Sequence, residues 1–472
     1  MADLKNMQLD IVKKEDASGT DWSHRAVRFL NGVIRKLDGS NRYPVFPNVS
    51  SSDADFVDAI TRASKIQELG YDIGFKFVSH YPDSPFMHIC VGRYKKKVQV
   101  SIGFDFFSQH MSLVKTLSEI MERALWDDNG VYWKTNSVRS NAKSLGDKAM
   151  NIGIRTLAGF SEEQRKGSTR LSYDDTTMFL WTPATRLHDG SSCLVPSQLV
   201  SGRWAGEMDY SEPLLRAPNS NGLATHRSLE MAQYRGAQEL IERDAFMIMY
   251  HNQLMPARID PSSIRDLQTR SILKKFESYR LSCELFLMPT DMPVCAVLCV
   301  IRDESGEGPA LAFGARSDHD PERAVLSALS ECYGVWHIAR QMELYKKPIS
   351  ERPWNSFERI AFWGKQENTS KISWLFGGPV VALTSGKGNA ETARELGRAA
   401  RKRGCDLAFV KMSSPALERL GLYSVCVVSP ELQPLYLDSD PEYLGGVRLA
   451  GVPKALGLRA KKSPPIYPHP FP

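Results

Sequence analysis

Strand-like and helical patterns alternate along the 472-residue chain, which predicts an α/β (α+β) protein. Two patterns and one bulk property carry that reading. Short runs rich in β-branched and aromatic residues recur, among them YDIGFKFVS, FMHICVGR and VCAVLCVIR. Between them lie longer stretches whose apolar residues repeat with helical spacing, such as SLVKTLSEIMERALW. A hydrophobic content of 42% and a charged content of 24% are those of a globular chain, and its length suffices for two or three lobes.

Residues 1–51 are polar, with one amphipathic segment at 24–37 and a Pro/Asn/Ser linker at 43–53. Residues 53–70 read as a helix stopped by Gly70. Strands are expected at 71–79, 86–93 and 97–104, then a helix at 108–126. The stretch 127–171 mixes helix and loop. Strands follow at 177–187 and 192–200, and a loop at 202–220. A long helix then runs to Asn252, with Ser228 as its N-cap and no interrupting proline. Residues 261–279 read as one helix, 281–289, 294–302 and PALAFGA as strands. The next helix begins at Pro321, a residue suited to the first turn, with Glu322 at the positive end of the dipole. Residues 351–376 are weakly patterned and read as a surface insertion. VVALTSGKGNAETARELGRAARKRGCDLAFVKM reads as strand, helix, strand. Its GKG is no phosphate loop, because Val381 and Gly388 occupy the positions that need Gly and Ser or Thr. LGLYSVCVVSPELQPLYL adds a strand and a loop. The closing SPPIYPHPFP cannot be helical and reads as an extended polyproline II tail.

Composition narrows the function. A net charge of +6 with short, scattered basic runs argues against nucleic-acid binding. Eight cysteines without a CxxC indicate reduced thiols and a cytoplasmic protein, and no HExxH marks a zinc site. The first residues are too polar for a signal peptide, and no apolar run is long enough to span a membrane.

The chemistry lies in NSNGLATHRSLEMAQYRGAQELIERDAFMIMYHN, residues 219–252. Arg235, Glu239 and Glu242 share one helical face with Met231, Ala232, Phe246, Met249 and Tyr250, whereas Gln233, Arg243 and Asp244 lie elsewhere on the wheel. Two carboxylates in an apolar stripe need a metal ion or a basic side chain opposite them. Lys115, Glu119 and Glu122 repeat the spacing, and Ser327 and Glu331 form a weaker echo. Solvated ion pairs are the plain alternative. Base before acid at i, i+4 is the less favourable order, however, and such pairs contribute only about 0.2–0.5 kcal/mol.

SNGLATHRSLEMAQYRGAQELIERDA resembles the central motif of the YcaO family of ATP-dependent, backbone-amide-activating enzymes. LVKTLSEIMERALW resembles that family's first glutamate motif and ARSDHDPERAVLSALSECY its third. PHPFP resembles the proline-rich end of its azoline-forming members. The resemblance implies a YcaO-type fold with mixed sheets flanked by helices and a nucleotide site between glutamate-bearing helices. It divides the chain into an extension at 1–51, an ATP-binding catalytic domain at 52–460 and a tail at 461–472.

As sites it implies Glu119, Glu122, Glu239 and Glu242 on Mg²⁺, and Lys115, Asn221, Arg235, Ser327 and Glu331 around ATP. Glu331 and the Pro472 carboxylate would act in catalysis. Three positions depart from the family: Lys115 stands for Ser, Arg235 for Gln and Ser327 for Arg. Either Arg235 or Lys115 is therefore expected to replace the missing phosphate-binding arginine, or the site has lost tight ATP binding. The implied activity is a cyclodehydratase subunit that turns Cys, Ser or Thr of a precursor peptide into azolines. Thioamide or amidine formation and a degenerate scaffold are the alternatives. The implied partners are the peptide and a separate E1-like, leader-binding protein, since the extension is short for a fused one. The resemblance also allows a flavin-dependent dehydrogenase and a homodimer.

Overall fold

The computed structural model describes residues 52–78, 83–94, 100–127, 136–150, 153–168, 171–202, 212–346, 348, 356–384, 390–436, 442–461, 463 and 465–471. The extension at 1–51 and Pro472 lie outside the described residues. The chain divides into two compact units.

The first unit contains α1 (Ser52–Glu68) and an antiparallel meander of β1 (Ile73–Val78), β2 (His88–Tyr94) and β3 (Val100–Asp105), followed by α2 (Gln109–Asp127) as far as Ala124. Leu113, Leu117, Ile120 and Met121 give α2 a buried stripe at helical spacing. Helix and sheet touch closely because β3 carries Gly103. A Cβ there would lie 1.9 Å from the Ser112 carbonyl oxygen. The Thr116 hydroxyl donates to the Cys90 carbonyl at 2.9 Å and fixes the same contact.

The second unit holds two sheets. One has six strands: β4 (Val138–Asn141), β5 (Met178–Arg186), β6 (Ser192–Pro196), β7 (Leu223–His226), β13 (Ala408–Lys411) and β14 (Tyr423–Val428). Their order is β4-β5-β13-β14-β7, with β6 paired to β5. The other contains β8 (Ala257–Ile259), β9 (Leu281–Leu287), β10 (Cys295–Asp303), β11 (Leu311–Asp318) and β12 (Val380–Val381), in the order β11-β10-β9-β8-β12. The helices of this unit are α3 (Leu229–Asn252), α4 (Leu267–Ser278), α5 (Pro321–Gln341), α6 (Ser356–Trp363), α7 (Ala393–Arg401) and α8 (Arg448–Ala455).

The long helix α3 packs against β7 and β14 of one sheet and β10 and β11 of the other. A helix in that position is buried nearly all round, and small residues let it approach both sheets. Ala232, Ala237 and Ala245 are fully buried. A Cβ on Gly236 would lie 2.6 Å from the Gly222 carbonyl oxygen. Its start is capped as the sequence predicts: the Ser228 hydroxyl accepts from the Met231 N–H. Among the described residues no helix is long and apolar enough to cross a membrane. None of the eight cysteines forms a disulfide, and all but Cys283 are buried.

Three expectations are corrected. Residues 261–279 are not one helix, because two aspartates cap in succession. Asp260 caps a short 3-10 turn, and Asp266 accepts from the Thr269 N–H at 2.8 Å to start α4. Residues 356–376, the described part of the stretch 351–376, are no surface insertion. They contain α6 and a 3-10 segment, Gln366–Gly377, and bury Arg359, Trp363 and Leu375. Asp244, read as part of the polar side of α3, is fully buried. Arg448 pairs with it at 2.7 Å, and the Gln433 N–H donates to it at 2.8 Å.

Gly314 does for β11 what Gly103 does for β3. A Cβ there would stand 2.3 Å from the Cys332 backbone nitrogen on α5. Gly314→Ala is expected to cost about 1–3 kcal/mol through forced separation of helix and strand. Urea unfolding with an unchanged slope would measure it.

Candidate active site

The turn at 219–222 and α3 are locked by two glycines. Gly222 has φ +80, and a side chain there would strike the Val427 carbonyl oxygen at 2.0 Å. With Gly236 facing it, the turn lies directly on the helix. The Gly222 N–H then donates to Glu239 Oε2 at 2.9 Å. Asn221 is 4% exposed; its Nδ2 donates to the Leu435 carbonyl at 2.9 Å and its Oδ1 accepts from Arg243. Arg243 also pairs with Glu239. Arg216, Asn221, Arg243 and Ser429 line part of a small recess beside this network.

Glu242, one turn further along α3, is 3% exposed. The free edge of β11 meets it: the Ser317 N–H donates to Glu242 Oε2 at 2.9 Å, and the Ser317 hydroxyl donates to the Gln238 carbonyl at 2.8 Å. Burial pushes the Glu242 carboxyl up to about 8; Arg316 opposes the rise, and Glu331 and Glu239 add to it. Arg316, half-buried on β11, shows the converse. Burial works against its charge, yet Glu242, Glu331 and Glu239 hold its pKa above the ordinary arginine value.

Of the residues singled out from sequence, the second unit brings together Asn221, Glu239, Glu242 and Glu331. Arg235 is on the same helix but is committed elsewhere, donating at 2.9 Å to both Asp318 and Gln238. Although burial disfavours its charge, Asp318 is held below the usual carboxylate range by the Asp320 N–H, Arg235 and Arg323. Ser327 lies one turn before Glu331 on α5, partly buried. In the first unit, the exposed Lys115 ammonium pairs with Asp105 at 2.9 Å and donates to the Phe104 carbonyl at 2.7 Å. Glu119 accepts from the Ile102 N–H at 3.0 Å and lies 3.5 Å from Arg123. Glu122 is partly buried on the same helix.

The tail is built into the second unit. His469 and Phe471 are buried, and the Arg359 Nε donates to the Phe471 carbonyl at 3.0 Å. Trp363 donates to the Pro468 carbonyl at 3.1 Å and Tyr250 to the Tyr467 carbonyl at 2.5 Å. Phe471 packs on Phe246 with ring centroids 5.0 Å apart, and Arg243 lies over its ring at 5.9 Å.

Sequence reasoning did not single out Arg216, Arg316, Arg359 or the role of Arg243. One signal was readable: LAFGARSD places a lone arginine inside a strand otherwise made to be buried.

The donor set fits a magnesium nucleotide. Among the described residues no three His, Cys, Asp or Glu side chains are grouped to hold a metal ion unaided. Magnesium on a nucleotide keeps waters and phosphate oxygens as ligands and needs only one or two carboxylates. Glu239 and Glu242 are two such carboxylates, with the Arg243 guanidinium beside Glu239.

A family model described as YcaO cyclodehydratase, ATP- and Mg2+-binding, matches residues 107–433, more than half of the chain. The chain belongs to the YcaO family. It is 32% identical over 114 residues to an uncharacterized protein of Methanothermobacter thermautotrophicus, 24% of this chain and 30% of that one. An uncharacterized protein in the tfuA 3' region of Rhizobium leguminosarum bv. trifolii is 29% identical over 160 residues, 32% of this chain and 37% of that one. The matches thus span about a third of these curated relatives.

Three solved structures share the fold. A heterocyclase in complex with substrate and cofactor has a TM-score of 0.66 at 19% identity, covering 84% of this chain and 55% of its own. YcaO from Methanopyrus kandleri bound with AMPPCP and Mg2+ has a TM-score of 0.56 at 18% identity, covering 81% and 92%. The E. coli microcin synthetase McbBCD complex with pro-MccB17 bound has a TM-score of 0.60 at 10% identity, covering 84% and 96%.

Two outcomes follow for the ligand-free protein. A carboxyl raised to about 8 contributes stability below its unfolded value of 4.5 and loses it as pH rises through 8. Glu242→Gln, which keeps an acceptor for Ser317, is therefore expected to match wild type in Tm near about pH 5 and to exceed it near about pH 9. Arg235→Ala leaves Asp318 with fewer partners and is expected to cost about 1–2 kcal/mol by urea unfolding.

Proposed function

We propose that this protein is an ATP-dependent cyclodehydratase subunit that forms thiazoline or oxazoline rings at Cys, Ser or Thr of a ribosomally made peptide. The observation that carries the reading is the juxtaposition of Glu239, Glu242 and Glu331 with Arg243 and Asn221. Acids that need a cation, with hydrogen-bond donors beside them, suit a metal-bridged polyphosphate.

Glu239 and Glu242 would hold Mg²⁺, and Glu119 and Glu122 carry the matching motif on α2. Bound ATP would supply the phosphoryl group that makes an amide oxygen a leaving group. The remaining work belongs to the peptide and the chain. The peptide's nucleophilic side chain attacks the preceding carbonyl carbon, and the proton it sheds must be accepted. Glu331, facing the acid cluster from α5, is a candidate acceptor. Arg243 stays charged throughout, so it orients and neutralises but does not move a proton.

A peptide of this kind needs a grip away from the reacting bond, and we assign that to a separate leader-binding protein. The McbBCD complex with pro-MccB17 bound, whose fold this chain shares, supports the assignment.

Mass spectrometry of a precursor peptide, incubated with the chain, the partner, ATP and Mg²⁺, tests the reading. Loss of one water per modified residue is expected, with Glu239→Ala lowering the yield by at least about a hundredfold. A gain corresponding to oxygen-for-sulfur exchange would instead make the product a thioamide. An unmodified peptide with the partner demonstrably bound would leave a scaffold.

A further inference from the structure

Arg316 is a charged side chain whose guanidinium no hydrogen bond among the described residues uses. A guanidinium offers five N–H donors. Among the described residues Arg243 pairs with Glu239 and Asn221, and Arg235 donates to Asp318 and Gln238. Arg316 feels Glu242, Glu331 and Glu239 electrostatically, yet it donates no hydrogen bond among the described residues.

Strand register locates it. Alternate residues of a strand share a face, so Gly314, Arg316 and Asp318 point the same way. At Gly314 that face meets α5 between the Ala328 carbonyl and Cys332. At Asp318 it meets Arg323 of α5, at 3.3 Å, and Arg235 of α3. Arg316, midway, is therefore level with about the middle of the 323–332 stretch, where α5 carries Ser327. Its other flank faces α3, where the next backbone N–H, that of Ser317, holds Glu242. An arginine at 327 would compete with Arg316 for one space; a serine, which is short and uncharged, does not.

We propose that the Arg316 guanidinium binds the polyphosphate of the nucleotide, reaching from β11 to the level at which α5 carries Ser327 and supplying the charge that helix lacks. This rests on the nucleotide-binding reading above and adds a residue to it. Neither Arg235 nor Lys115 fills the role, since each is held by an aspartate. Among the described residues no hydrogen bond joins the Arg316 guanidinium to Glu239 or Glu242, so an oxyanion entering with its own cation finds donors there.

Isothermal titration of the full chain with AMPPCP, ADP and AMP, each with Mg²⁺, and with inorganic phosphate tests the proposal. Arg316→Ala is expected to weaken AMPPCP by about ten- to hundredfold, ADP by less, and AMP not at all. Arg316→Ala combined with Ser327→Arg returns the charge from the other element. It is expected to recover most of the AMPPCP affinity and carries the test if the single variant does not fold. Wild-type affinity for AMPPCP in Arg316→Ala overturns the proposal and leaves the function standing. So does a loss confined to inorganic phosphate. No recovery in the double variant overturns the positional exchange. Failure of the wild-type chain to bind AMPPCP at all overturns both readings.

Discussion

The second unit is organised around the cost of burying Glu242. A carboxylate with 3% exposure loses most of its hydration, and one backbone donor from Ser317 does not replace it. The surroundings answer with positive charge at a distance and with more negative charge nearby, from Glu239 and Glu331. In the free protein a proton offsets the deficit. A divalent cation would offset it better, and in doing so would draw in a polyanion. The unfavourable burial and the capacity to bind are thus one feature.

That constraint explains the backbone around it. A glutamate can be held beside the 219–222 turn only if turn and helix touch, which requires Gly222 and Gly236 in register across the interface. β11 can present Ser317 N–H to Glu242 only because it is the edge strand of its sheet. α5 brings Glu331 close by lying on Gly314. Each acid is thus placed by a close backbone approach that a larger residue would prevent.

What was legible in the sequence follows from the range of the forces involved. The N-cap at Ser228, the 24-residue α3 and the faces of Glu239 and Glu242 depend on residues within a turn or two, and periodicity reports them. The double cap at Asp260 and Asp266 is equally local, but a helical pattern running across both concealed it. Arg316 and the tail cradle depend on partners far along the chain. Arg359 reads as one basic residue in a poorly patterned stretch, because its reason for burial lies over a hundred positions away, at Phe471. Period-three 3-10 packing in Gln366–Gly377 further blurs the helical signal there. The tail is ordered by Trp363, Tyr250 and Arg359, and such partners cannot be inferred from the prolines alone.

Shared spacing and strand topology relate different pairs of helices. SEIMERA of α2 matches QELIERDA of α3, which suggests that those two are equivalent. Topology pairs α2 with α5. β1-β2-β3-α2 and β9-β10-β11-α5 are both antiparallel meanders closed by a helix, and each third strand carries the glycine on which its helix rests, Gly103 or Gly314. Each helix bears a glutamate, Glu119 or Glu331, at a different distance from that contact. The units differ at the strand residue two beyond the glycine. In the first unit it is Asp105, and the cation, Lys115, comes from the helix. In the second it is Arg316, and the helix residue at the place of Lys115, counted from the glycine contacts, is the acid Glu331. An arrangement that conserves geometry and exchanges which element carries the charge is invisible to motif matching, which reads one element at a time. It becomes readable once strand register and helix level are considered together.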